Sequence, residues 1–146
     1  MSADYPSMTT AEIRSKFLNF FEERGLKLYP SSSLVPDDPS LLLANAGMNQ
    51  FKEYYQGKKT MKEIGAISCQ KCVRTNDIDC IGEDGRHLSF FEMLGDFSFG
   101  GVSKEQACAW AFELITKEFK LPLDRLYFTV FTEDDETHDV LSLIHI

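Results

Sequence analysis

A chain of 146 residues, 43% hydrophobic and 12% aromatic, can build one domain with a real core, burying roughly two thirds of the surface its unfolded form exposes. Its formal charge of −8 excludes a continuous basic surface that grips nucleic acid by counterion release, and no apolar run nears the roughly twenty residues of a membrane span. The opening residues, Met1 to Thr10, lack the basic start and apolar centre of a secretory signal, so the expected location is cytoplasmic and the four Cys are expected as reduced thiols.

Thr9 to Glu12 has the spacing of a capping box, and Ile13, Phe17, Phe20 and Phe21 follow at helical intervals up to Gly25, which predicts an amphipathic helix. Gly25 to Pro30 reads as a short strand stopped by proline, which gives a ladder no donor. Leu41 to Asn45 reads as a strand that Asn45-Ala46-Gly47-Met48 breaks, and Asn49 to Tyr55 has helical character. Ile64 to Arg74 reads as a strand, Thr75 to Gly85 as an acidic, turn-rich loop, and Arg86 to Phe99 as a long strand or a bent pair of strands, which is the pattern of a hairpin. Ser103 opens a second helix with Ala107, Trp110, Leu114, Ile115 and Phe119 on one face, ending near Leu121-Pro122. Arg125 to Thr132 alternates in a way that predicts one more strand, buried on both faces. Helices flanking an antiparallel sheet make the expected fold class α+β.

Residues 86 to 101, RHLSFFEMLGDFSFGG, hold four of the twelve Phe behind an Arg-His pair. In a strand, alternate residues share a face, so Arg86, Leu88, Phe90, Glu92, Leu94 and Asp96 point one way, and His87, Ser89, Phe91, Met93, Phe97 and Phe99 the other. The second set is greasy and suits a helix. Burying the three charges of the first would cost several kcal/mol apiece, to order of magnitude, unless each were paired, so that face is expected to open on a cleft. The preceding strand sorts likewise, with Ser68, Gln70, Cys72 and Arg74 on one face. If the two polar faces coincide, Arg74 and Arg86 flank a groove floored by Phe90 and edged by Glu92: forked donors for phosphate oxygens and a ring on which a purine stacks. The plainer reading makes the aromatics core and the Arg–Glu neighbours a surface pair.

Cys69-Gln70-Lys71-Cys72 has zinc-knuckle spacing, with Cys80 and His87 downstream to complete four ligands. An odd separation in a strand sends the two thiols to opposite faces, and they share a metal only if the backbone turns there. No metal site is therefore expected, and a zinc-dependent nucleic-acid-binding module is the lesser alternative to a nucleotide site or a non-catalytic binding module.

The runs Leu34 to Lys52, Ser68 to Arg74 and Arg86 to Gly100, in this order and spacing, resemble the amino-terminal catalytic region of the alanyl-tRNA synthetase family of class II aminoacyl-tRNA synthetases. The likeness extends from about Thr9 to about Asp139; residues 1–140 are expected as the motif 1 and motif 2 part of that catalytic domain, and 141–146 as an unassigned tail. It implies alanine, ATP and tRNA as partners: ATP and alanine give alanyl-adenylate and pyrophosphate, and the alanyl group then passes to tRNA. It implies that Arg74 holds the α-phosphate during attack, that Arg86 and His87 reach the far phosphates, and that Phe90, or else Phe91, stacks on adenine. It implies that Glu92 binds the adenine amino group or a Mg²⁺ shared with the phosphates, and that Met93 lines the base pocket through its backbone. Many relatives carry a longer, lysine-bearing loop where Thr75-Asn76-Asp77 stands here, and Gly-Asp-Tyr-Phe where Gly100-Gly101-Val102-Ser103 stands. The resemblance also implies a third motif, tRNA-binding helices and an editing region holding zinc, none within these 146 residues. This chain alone is therefore expected neither to activate alanine well nor to charge tRNA.

Overall fold

The first helix, α1 (Thr10–Glu22), starts where the sequence says: the Thr9 hydroxyl accepts from Glu12 N at 3.3 Å, and the Glu12 carboxylate accepts from Thr9 N at 2.7 Å. The structure is a computed structural model describing residues 7–76 and 78–145; expectations that touch Met1–Pro6, Asp77 or Ile146 lie outside the described residues. After Gly25, at φ +87°, the chain enters a two-residue strand, β1 (Lys27–Leu28).

Two long strands, β2 (Gly65–Val73) and β3 (Phe90–Ser98), form the antiparallel hairpin the alternation predicts. The sheet is not purely antiparallel, because β1 lies parallel to β2 and the order is β1-β2-β3. The long connection from Tyr29 to Ile64 permits that crossover; a short turn would force antiparallel pairing. Within it, a 3-10 turn (Gly47–Phe51) runs into a single-turn helix, α2 (Lys52–Tyr55), at the place of expected helical character.

Leu41 to Asn45 is not a strand. Ala44 alone bridges, its N–H donating to Leu34 O at 2.8 Å and its carbonyl accepting from Val73 N at 2.9 Å. Arg125–Thr132 is also no strand: a 3-10 turn (Leu123–Arg125) leads into extended chain outside the sheet, on which Tyr127 and Phe131 are exposed. Alternation supplies faces, but a strand also needs a neighbouring strand to pair with, and among the described residues the sheet is β1-β2-β3 without this segment.

One face of the sheet packs Ile67 and Leu94 against Phe17, Phe20 and Phe21 of α1, with Trp110 and Leu114 from the next helical layer. Each buried Phe contributes about 1.5–3 kcal/mol relative to exposure, so this cluster is the energetic centre of the domain. That layer is α3 (Lys104–Glu113), capped by Ser103 Oγ on Gln106 N at 3.1 Å, and continued by a π turn (Leu114–Glu118). Lys16 from α1 donates to Glu118 O at 3.1 Å, satisfying a carbonyl at the end of that turn. The final helix, α4 (Asp135–His145), carries residues 141–145 and is clasped to α3 by Lys104, whose Nζ lies 2.9 Å from both Asp134 Oδ1 and Glu136 Oε2.

The opposite face is covered by the 31–55 segment: Phe51 meets Phe97 at 4.8 Å between ring centroids, and Tyr54 and Tyr55 meet Phe99 at 5.4 and 4.8 Å. Gln70, fully buried there, accepts from Ser32 N at 2.9 Å, Ser32 Oγ at 3.0 Å and Gln50 Nε2 at 3.1 Å, and donates to Ser32 O at 3.2 Å. The Ser68–Gln70–Cys72 face, expected to open on a cleft, is therefore roofed over, and only its end at Arg74 is exposed.

Candidate functional site

Register decides what stands beside Arg74. Val73 pairs with Phe90, Cys72 with Phe91 and Lys71 with Glu92, while Arg74 N donates to Ser89 O at 2.9 Å. Directly opposed residues share a face, so Arg74 and Cys72 share theirs with Phe91 and Met93, whereas Phe90 and Glu92 lie on the α1 face. The expected pairing of Arg74 with Phe90 is thereby corrected to Arg74 with Phe91. The guanidinium carbon of Arg74 lies 5.2 Å from the Phe91 ring centroid, within reach of a cation–π interaction.

Arg74 is also oriented from its other side, because its Nε donates to Asn45 O at 3.1 Å. With Asn45, Leu41, Leu43, Thr75 and Asn76 it lines a cavity of ≈ 160 Å³, which is room for a phosphate group but not for a whole nucleotide. A larger hollow of ≈ 560 Å³ lies between residues 32–39 and 49–59. Two of its three lysines are committed to ion pairs, Lys52 to Asp38 and Lys59 to Glu53, and neither arginine nor aromatic ring lines it. The candidate site is therefore taken at Arg74, where a guanidinium and an aromatic ring stand together, and not at the larger hollow.

Arg86 and His87 precede β3 and do not belong to it. Asp84 Oδ1 accepts both of their backbone N–H groups, at 2.9 and 3.1 Å, and a ladder cannot use donors already taken. Asp84 Oδ2 lies 2.6 Å from His87 Nδ1. These bonds, led by the Arg86 and His87 amides, hold the Asp84 carboxyl down at about 2. Sequence reading missed Asp84, although an Asp-Gly pair ahead of two basic residues is the grammar of an Asx turn. Both basic side chains are exposed at the mouth of the hairpin.

Glu92 is engaged elsewhere. Arg14 Nη2 of α1 donates to Glu92 Oε2 at 2.6 Å, and the guanidinium holds that carboxyl below its usual range. Cys69 shares this face, and burial pushes its thiol up, while Cys72 is buried on the other face, so the two thiols do diverge. A carboxylate already taken by Arg14, behind the sheet from Arg74, does not fit a Mg²⁺ on the Arg74 face. Met93 contributes its side chain to the Arg74 face: its sulfur accepts from Gly47 N at 3.1 Å.

Residues 12–145 match the family model described as tRNA synthetases class II (A). The chain belongs to that family. This class II synthetase chain is 54% identical over 128 residues to the chloroplastic/mitochondrial alanine–tRNA ligase of Sorghum bicolor, covering 88% of the chain and 13% of that protein. It is 52% identical over 136 residues to the alanine–tRNA ligase of Synechocystis sp., covering 93% and 16%, and 50% identical over 133 residues to that of Pseudothermotoga lettingae, covering 91% and 16%. The chain thus spans about one seventh of the length of these curated relatives. Within the class II synthetase chain, no helix of the described residues is long and apolar enough to cross a membrane.

Proposed function

We propose that this chain forms the ATP-holding part of an alanine–tRNA ligase, with Arg74 as the ligand of the α-phosphate and Phe91 as the ring on which adenine rests. One observation carries the reading: in a chain half identical to such ligases, a guanidinium anchored by a backbone carbonyl stands beside an aromatic ring on one sheet face. ATP is the substrate, supplied with Mg²⁺ as class II enzymes use it, and alanine and tRNA are the acceptors.

The chemistry is phosphoryl displacement. An alanine carboxylate oxygen forms a bond to the α-phosphorus as the bond to the pyrophosphate oxygen breaks, and pyrophosphate leaves with the electron pair. Negative charge builds on the α-phosphate oxygens during this step, and a fixed guanidinium stabilises it without accepting or giving a proton. Arg86 and His87, whose backbone is held on the Asp84 turn, are assigned to the outgoing phosphates. Phe90 and Glu92 serve the α1 side of the sheet instead.

Placing these 146 residues in the corresponding segment of the full-length Synechocystis ligase tests the reading. Alanine-dependent exchange of labelled pyrophosphate into ATP is expected from the chimera and is expected to vanish with Arg74→Ala. A folded chimera that shows no exchange would make the chain a binding module of the same fold.

A further inference from the structure

The least ordinary contact on the Arg74 face is a backbone N–H given to a thioether. Gly47 N donates to Met93 Sδ at 3.1 Å, although sulfur is a weak acceptor. Gly47 lies two residues after Asn45, whose carbonyl accepts from Arg74 Nε, and three after Ala44, whose carbonyl accepts from Val73 N. The bend between them is closely seated: a Cβ on Gly47 would lie 3.1 Å from Phe97 Cζ and 3.7 Å from Met93 Sδ. Asn49 Nδ2 ties the same bend from outside, donating to Asn45 Oδ1 at 3.1 Å.

A guanidinium is planar, so fixing Nε–H on one carbonyl fixes the direction in which the terminal nitrogens project. That carbonyl is only as well placed as the bend that carries it. We infer that Met93 is a positioning residue for Arg74: its sulfur pins Gly47, the pinned bend holds the Asn45 carbonyl, and the carbonyl aims the guanidinium. This deepens the reading of Arg74 as the phosphate ligand and rests on it. Met93 then acts through its side chain at a distance from the nucleotide.

The test uses Met93→Leu, which keeps the volume and removes the sulfur acceptor, in the 146-residue chain. Two signals are followed by NMR: the Arg74 Nε–H resonance, and binding of ATP and of adenosine. In the unaltered chain the Arg74 Nε–H is expected to exchange slowly with solvent, and in Met93→Leu about threefold to tenfold faster, the order expected for one weakened hydrogen bond. ATP affinity is expected to fall by a similar factor while adenosine affinity stays. In an Arg74→Ala background, Met93→Leu is expected to have no further effect on ATP, since coupled residues are non-additive. An Arg74 Nε–H that exchanges equally in both chains overturns the inference, as does an equal loss of adenosine binding or an additive double variant. Failure of the phosphate reading shows differently, as an Arg74→Ala chain that binds ATP unchanged.

Discussion

Arg74 and Phe91 share one face of the β2–β3 ladder, with the guanidinium carbon 5.2 Å from the ring centroid, while Phe90, next in sequence, stands on the other face and is 51% exposed. Adjacent Phe residues therefore have separable roles. Phe91→Leu is expected to weaken ATP binding by about 1–3 kcal/mol, the range for loss of a stacking ring, and Phe90→Leu to leave it within error. Isothermal titration of the two variants checks this; equal losses would mean that the face assignment does not govern binding.

The Arg14–Glu92 pair separates a structural tether from a nucleotide ligand. Glu92→Gln is expected to lower the melting temperature modestly, because α1 loses a charged anchor on the sheet, and to leave ATP affinity unchanged. A Gln variant with unaltered stability and weakened ATP binding would return Glu92 to the nucleotide site.

Gln70 is the polar keystone under the 31–55 segment. Gln70→Leu removes the acceptor of Ser32 N and of Gln50 Nε2 in a dry setting, and is expected to cost about 2–4 kcal/mol in urea unfolding. Gln70→Glu keeps the acceptor but buries a charge, and is expected to do no better. A Leu variant as stable as the parent would mean that water takes over those donors freely.

The hairpin mouth carries a pH signature. Asp84 has its carboxyl held at about 2, below the ordinary 3.8, mainly by the Arg86 and His87 amides. A lowered folded value means that the carboxylate's contribution is complete above about 3.8 and drains as pH falls toward about 2. Amide shifts of Arg86 and His87 are expected to titrate near the lower value and to stop titrating there in Asp84→Asn. A midpoint at the ordinary aspartate value would show that the turn does not hold the carboxylate.

What the sequence disclosed, and what it withheld, follows from the range of the forces involved. The Thr9–Glu12 box, the α1 phenylalanines and the Ser103 cap act over three or four residues, and all were readable. The alternation of β2 and β3 was readable too, but not which residue opposes which. Residues 74 to 89 are no two-residue turn, so the loop does not fix register, and a slip of one exchanges Phe90 for Phe91. Burial of Ser68, Gln70 and Cys72 was hidden because their roof comes from residues 31–55, and small polar side chains read as a cleft until their partners are known. Arg125 to Thr132 misled for the converse reason: its pattern is local, whereas pairing is not.

The most direct measurement is a set of nuclear Overhauser effects between the adenine protons of ATP bound to the 146-residue chain and the side chains around it. Contacts from adenine to the Phe91 ring, with the α-phosphate shifting the Arg74 guanidinium resonances, are expected. Contacts to Phe90 and the α1 face, with Arg74 unmoved, would contradict the account.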